Sequence, residues 1–249
     1  MILEKEIKCR YSIVEVKNKR EIVLIRGSGC TWRRCRFCDY HLDFNKNQDE
    51  NFILNKALLD QVTGIHKHLE IINSGSFVDL SDETMDYIEK TCIKNNINEL
   101  YFECHFKHKA EIKKLKDRFI KHNIKVLVKI GVETFDYYFR ESYLTKGITE
   151  KNPAVIANYF DEVCLLQGIP GQNVTSMTND IETGLKYFHR VYINIMQENA
   201  KPIKPDPKVI KLFMDNIYPK YKDNPNVDIL LDDEAFGVGG VTTYAKDTL

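Results

Sequence analysis

No stretch of this chain approaches the roughly 20 consecutive apolar residues that a bilayer-spanning helix needs. The opening, Met1-Ile2-Leu3-Glu4-Lys5-Glu6, has no apolar core of a signal peptide. Net charge is missing too, since Lys plus Arg and Asp plus Glu each number 36 among 249 residues. A balanced chain offers no general attraction to nucleic acid or to an anionic membrane. There is no internal repeat, no low-complexity tract and no interdomain linker. An even cysteine framework is also lacking: the seven cysteines are odd in number and three share one loop. That pattern argues against disulfides and for a reducing, cytoplasmic setting. The length suits a single (β/α)-type domain with a full core, its main body at about 20–200 and a carboxyl-terminal extension at about 201–249.

Cys30, Cys35 and Cys38 lie within the run Arg26-Gly27-Ser28-Gly29-Cys30-Thr31-Trp32-Arg33-Arg34-Cys35-Arg36-Phe37-Cys38-Asp39-Tyr40, spaced C-x4-C-x2-C. Three thiolates can hold three irons of a cubic [4Fe–4S] cluster and leave the fourth iron open to a bound molecule. His41 follows Cys38 by three, so a closed Cys3His zinc site is the structural alternative. Cys9, Cys92, Cys104 and Cys164 sit in apolar or strand-like surroundings, where a small buried residue is the default. For Arg33, Arg34 and Arg36 the ordinary reading is a solvated basic loop, and the functional one is charge stabilisation or contact with an anionic substrate.

Short apolar runs alternate with amphipathic helices along the chain. Strands are expected at 22–25, 70–73, 100–103, 126–130, 163–166 and 191–195, with a seventh possible at 227–231. Helices are expected at 52–66, after a Ser81 cap, at 110–121, at 176–188 and at 206–217. Continuous rather than alternating apolar strands, separated by helices, indicate a parallel sheet. Six such units fall short of a closed eight-stranded barrel, so the expected fold is α/β, a partial (β/α)6 TIM-type barrel. Ligands of such folds gather at the carboxyl ends of the strands. There the sequence places the cysteines, Ser74-Gly75-Ser76, Glu103, Gly131 to Glu133, and Gly168 to Gly171.

From about Ile22 to Asn199 the chain resembles the radical S-adenosylmethionine (SAM) superfamily. The usual cluster signature there is C-x3-C-x2-C with an aromatic before the last cysteine. Phe37 fits, while the first gap is one residue longer here. Asn73-Ser74-Gly75-Ser76-Phe77 is similar to the glycine-rich end of strand 2 in one subgroup. Ile130-Gly131-Val132-Glu133-Thr134 with Lys146-Gly147, and Leu166-Gln167-Gly168-Ile169-Pro170-Gly171-Gln172, are similar to its strand 4 and strand 5 regions. The resemblance implies a [4Fe–4S] cluster on Cys30, Cys35 and Cys38 whose open iron is chelated by SAM. It implies that Ser74, Gly75 and Ser76 admit the SAM amino group to the backbone. Glu133 and Glu103 would accept from ribose hydroxyls or the amino group, Lys129 would offset the carboxylate, and Phe37 and Ile169, beside Gly168, would flank the adenine. No side chain is assigned as a catalytic acid or base.

Within the superfamily, the loop Cys38-Asp39-Tyr40-His41-Leu42-Asp43 and the stretch Leu231 to Gly240 are similar to the small lyases of queuine salvage. That likeness implies a nucleotide substrate, queuosine 5′-phosphate, and a one-electron reductant such as flavodoxin or ferredoxin. Asp43, Asp232, Asp233 and Glu234 are the acceptors expected for the base and its amine, and Tyr40 or Phe236 the stacking surface, with His41 beside them. Two rivals stand: a tRNA- or macromolecule-modifying radical SAM enzyme, and a zinc-bearing binding protein without catalysis. The neutral charge and the short segment after the sixth strand speak against a nucleic-acid partner.

Overall fold

The computed structural model describes residues 10–231. Eight strands and seven helices are found among them. The strands are β1 (Tyr11–Val14), β2 (Arg20–Ile25), β3 (His68–Asn73), β4 (Glu99–Glu103), β5 (Lys125–Glu133), β6 (Glu162–Gln167), β7 (Arg190–Ile195) and β8 (Val227–Leu230). The helices are α1 (Gln48–Leu59), α2 (Asp82–Lys94), α3 (Ile112–Ile120), α4 (Pro153–Ala157), α5 (Val174–Tyr187), α6 (Pro207–Asn216) and α7 (Tyr218–Tyr221). Strand order follows chain order. The six expected strands are β2 to β7, and the possible seventh is β8. This is the α/β class, with the strand order and direction of a partial (β/α) barrel.

The Cα positions gather into two units, residues 10–31 with 40–128 in one and 32–39 with 129–231 in the other. In the first, β2 pairs in parallel with β3 and β3 with β4. Strand β1, which the sequence reading missed, adds antiparallel to β2, with Tyr11 opposite Val23. Its four residues bury only alternate side chains, too short a pattern to stand out. Helix α1 starts at Gln48 and not at Phe52, because the Asn47 side chain accepts from Asp49 N and Glu50 N. It ends at Leu59, short of the expected 66, and the next turn gives Thr63 N and Gly64 N to the buried carboxylate of Glu21, each at 2.7 Å. Ser81 caps α2 as expected.

In the second unit, β5 to β8 pair in parallel in sequence. All six residues of β6 are buried, the pattern of a strand covered on both faces. Helix α4 and a single π-type turn at Phe139–Tyr143 were not foreseen. The Asn173 and Asp206 side chains cap α5 and α6.

Asp180, buried on α5, accepts from Phe135 N at 2.6 Å and so ties the turn after β5 to that helix. Burial pushes its carboxyl up to about 6, against the pull of the Phe135 N–H and Thr134. A folded pKa above the unfolded one means that the folded state binds the extra proton. Stability therefore falls as pH rises from about 4 to about 6 and stays lower above that range. Asp180→Asn keeps the acceptor and removes the buried charge. It should raise stability at pH 7.5 by on the order of 1–2 kcal/mol and flatten the pH dependence in thermal denaturation. A lower melting temperature at both pH 4 and pH 7.5 would contradict this.

Candidate active site

The first unit carries Cys30 and the turn that follows β3. Gly75 lies against Cys30: a Cβ added to it would come within 3.2 Å of Cys30 N and Cα and would collide with the Asp79 carboxylate. That carboxylate accepts from Ser76 N at 2.7 Å, while the Asp79 carbonyl takes Ser28 N at 2.9 Å. Asp79 thus couples the β3 turn to the approach of the cysteine loop. His105 N donates to Ser76 Oγ at 2.9 Å and brings the end of β4 to the same turn. The absence of a side chain at Gly75 makes room for the Asp79 carboxylate and lets the β3 turn lie close to the Cys30 backbone.

Asp43 stands beside this turn, with Ser74 Oγ 3.4 Å from its Oδ2. Arg10 grips it with two bonds of 2.6 and 3.0 Å, and Arg26 Nε adds a third at 3.0 Å. Partial burial works against its charge, yet Arg10 and then Arg26 hold the carboxyl below its ordinary range. Both its oxygens are already engaged by guanidinium groups. Tyr40 is exposed, and His41 and Glu103 are half-buried. Next to Cys30, Thr31 Oγ1 lies 2.9 Å from His108 Nε2 and 3.3 Å from Lys107 Nζ.

The second unit carries Cys35 and Cys38. Their segment is pinned by its backbone: Arg36 N donates to Leu144 O at 3.0 Å, and Ile203 N donates to Arg36 O at 3.1 Å. The Trp32 indole N–H donates to Thr145 O at 2.9 Å. Phe37 packs with Leu144, Leu166, Ile169, Met196 and Ile203, and Cys35 and Cys38 border that cluster. Gly168 has a φ of 90°, and the Gln172 side chain bridges Leu166 O and Ile169 N at 2.9 Å each.

Lys146 Nζ binds Glu133 Oε1 at 2.5 Å and lies 5.6 Å from the centre of the Phe37 ring. Burial works against the Lys146 charge, but Glu133 and then the thiolates of Cys35 and Cys38 outweigh it and hold its pKa up. Glu133 has φ 68°, a left-handed conformation rare outside glycine, at a bulge in the β5–β6 register. A Cβ on Gly131 would meet Glu133 Oε1 at 2.7 Å and Lys146 Nζ at 3.0 Å. Glycine there makes room for the ion pair. Lys129 is not brought to this end of the strand. It pairs in register with Glu162, the first residue of β6, and its ammonium lies 3.7 Å from the Tyr192 ring centre.

Among the described residues, no three His, Cys, Asp or Glu side chains are gathered as a metal site. The donor chemistry still separates the cysteines. Cys30, Cys35 and Cys38 are half-exposed, whereas Cys92, Cys104 and Cys164 are buried. Burial pushes the thiols of Cys92 and Cys104 up to about 12, far from the thiolate that a metal requires. Cys9, Asp232, Asp233, Glu234 and Phe236 lie outside the described residues. Neither Lys146, despite the likeness of Lys146-Gly147 to the subgroup's strand 4 region, nor Asp79 has a role legible in the sequence alone. The Ser76-x-x-Asp79 spacing, a capping-box pattern, was the available signal for Asp79.

No family model and no curated protein matches the chain. A solved structure does: the queuine lyase from Clostridium spiroforme bound to SAM and queuine. It is 42% identical, with a TM-score of 0.88 over 92% of this chain and 98% of that one. Two spore enzymes also align, a sporulation-specific glycosylase of Bacillus subtilis (9% identity, TM-score 0.31, 79% of this chain and 72% of that one) and SleL of Bacillus megaterium (12%, 0.30, 91% and 61%). At those scores they carry no argument. The match to the queuine lyase makes the chain an enzyme of the radical SAM lyase type. Within that superfamily, the chain belongs to the queuine lyase family. No helix among the described residues is long and apolar enough to cross a membrane.

Proposed function

We propose that this enzyme holds one [4Fe–4S] cluster on Cys30, Cys35 and Cys38, binds SAM, and releases queuine from queuosine 5′-phosphate. Cluster and SAM, when bound, would supply a 5′-deoxyadenosyl radical able to take a hydrogen from the ribose; loss of queuine from the sugar radical as the N-glycosidic bond breaks would be completed by one proton to the base and one electron to the sugar from the reductant. The observation that carries this reading is the 42% identity to a queuine lyase bound to SAM and queuine, over 98% of that chain.

The chain's own residues have distinct tasks. The backbone carbonyls of Ser74, Gly75 and Ser76 accept from the SAM amino group, on the turn that Gly75 lets lie close to Cys30. Lys146 puts a fixed positive charge beside Cys35 and Cys38 and offsets the negative charge of a thiolate-held cluster. Glu133, held by Lys146, and Glu103 accept from ribose hydroxyls. Phe37 and Ile169 offer apolar surface to the adenine. Lys107, Thr31 and His108 supply donors for a 5′-phosphate beside Cys30. Asp43, already engaged by Arg10 and Arg26, contributes position more than a free acceptor. Contacts to the base then fall to Tyr40, His41 and the stretch Asp232, Asp233, Glu234 and Phe236. A reductant of the flavodoxin or ferredoxin kind supplies the electron.

Anaerobic incubation of the reconstituted enzyme with reductant, SAM and queuosine 5′-phosphate should give queuine and 5′-deoxyadenosine together, as read by mass spectrometry. Queuine release without SAM would discard the radical route. SAM-dependent turnover of some other substrate alone would keep the superfamily and discard queuine.

A further inference from the structure

The segment that bears Lys146 is laced along the segment that bears Cys35. Arg36 N donates to Leu144 O at 3.0 Å, Thr145 Oγ1 donates to the Arg34 carbonyl, and the Trp32 indole donates to Thr145 O at 2.9 Å. Gly147 has a φ of 79°, and a Cβ there would collide with the Trp32 ring. The fully buried Arg140 guanidinium donates to Thr134 O and Ile148 O, at 3.3 and 3.0 Å, and so ties the neighbour of Glu133 to the neighbour of Gly147. Glu141 accepts from Gly147 N and Ile148 N at 2.9 and 3.0 Å. Both charges of the Lys146–Glu133 pair are thus held on one framework with Cys35.

The pair is shielded from water, its side chains being 13% and 9% exposed. Lys146 Nζ lies 5.6 Å from the Phe37 ring centre, and Phe37 packs among Leu144, Leu166 and Ile169 with Cys35 and Cys38 at the border. In such apolar surroundings a charge acts with little screening. The potential of a thiolate-held iron–sulfur cluster follows its net charge, its hydrogen bonds and its exposure. A cation beside two ligand sulfurs favours the reduced, more negative cluster, and a carboxylate bonded to that cation opposes it.

We propose that Lys146 and Glu133 act as an opposed pair that sets how readily the cluster accepts its electron. Lys146 raises the reduction potential and Glu133 limits the rise. The inference deepens the functional reading above and rests on it, because it requires a cluster on Cys35 and Cys38. The reductant loses one electron, the cluster gains it, and no bond is made or broken. Glu133 then has a task in the electron-transfer step as well as toward the ribose of SAM.

The test compares reconstituted wild type with K146M, E133Q and the K146M/E133Q double variant, without SAM or substrate. Iron and sulfide per chain report loading, and circular dichroism reports folding. The readout is a redox titration followed by the electron paramagnetic resonance of the reduced cluster. At the wild-type midpoint, K146M should lower the ratio of reduced to oxidised cluster about tenfold, a shift of about 59 mV for one electron. E133Q should raise that ratio severalfold, and the double variant should lie between the two single ones. Opposite displacements identify charge as the cause, since a loosened fold would move both single variants the same way.

Equal potentials in wild type and K146M, or shifts of the same sign in K146M and E133Q, would overturn the proposal. If K146M loads too little cluster to titrate, E133Q and the double variant still differ only at Lys146, and equal potentials in those two would overturn it as well. Wild type that takes up no iron and sulfide would overturn the functional reading and this inference with it. Equal potentials in loaded proteins would overturn the inference alone.

Discussion

Cys35→Ala protein, reconstituted anaerobically, should contain almost no cluster iron, and Cys30→Ala and Cys38→Ala should match it. Cys164→Ala should load normally. The contrast rests on the state of the sulfurs. The three loop cysteines are half-exposed, while Cys92, Cys104 and Cys164 are buried, and burial drives the first two of these thiols up to about 12. A cluster with three cysteine ligands has none to spare, so the effect of one loss should be near total. Cys35 and Cys38 also act electrostatically on the Lys146 ammonium, which lies 5.6 Å from the Phe37 ring centre. Iron and sulfide counted per chain give the answer. A full complement in the Cys35→Ala protein would refute the ligand assignment. Zinc without iron or sulfide in anaerobically purified wild type would replace it with the Cys3His alternative.

Gly75→Val should lower 5′-deoxyadenosine production about a hundredfold or more, which corresponds to about 2.7 kcal/mol. Any side chain at this position must displace the Asp79 carboxylate, which holds Ser76 N, and crowds Cys30 N and Cα at 3.2 Å. The turn whose carbonyls are proposed to receive SAM would then be pushed out of place. Because the crowding reaches Cys30, cluster iron must be counted in the same samples. We expect more than half to remain, since the three sulfur ligands are intact. Gly75→Ala should show the same loss in weaker form, with reduced SAM affinity by equilibrium dialysis. Unchanged SAM cleavage by Gly75→Val would move the cofactor away from the β3 turn.

The parallel strands were legible because β2 to β7 are runs of consecutive apolar residues, a pattern that follows from burial on both faces. The turns after β3 and β6 were legible for a different reason: Gly75 sits where Asp79 and Cys30 leave no room for a side chain, and Gly168 where φ is positive. Strand β1 was not legible, because four residues with alternate burial are too short to show a period above chance. Helix α1 was misjudged at both ends because its start depends on the Asn47 side chain and its end on Glu21, a residue in a distant strand. The role of Lys146 was hidden for a related reason. Its partner Glu133 lies 13 positions earlier, and a bulge at Gly131 is needed to bring the two together. Lys129, expected from the resemblance to offset the SAM carboxylate, is set by the register opposite Glu162 at the amino end of β6, with its ammonium against Tyr192.

The central claim is that a radical generated from SAM breaks the glycosidic bond by taking a ribose hydrogen. It is tested most directly with queuosine 5′-phosphate deuterated on the ribose, incubated with reconstituted enzyme, SAM and reductant, with 5′-deoxyadenosine analysed by mass spectrometry. The account predicts one deuterium in the 5′-deoxyadenosine formed alongside queuine. Queuine formed while 5′-deoxyadenosine stays unlabelled, with every ribose position deuterated, would contradict it.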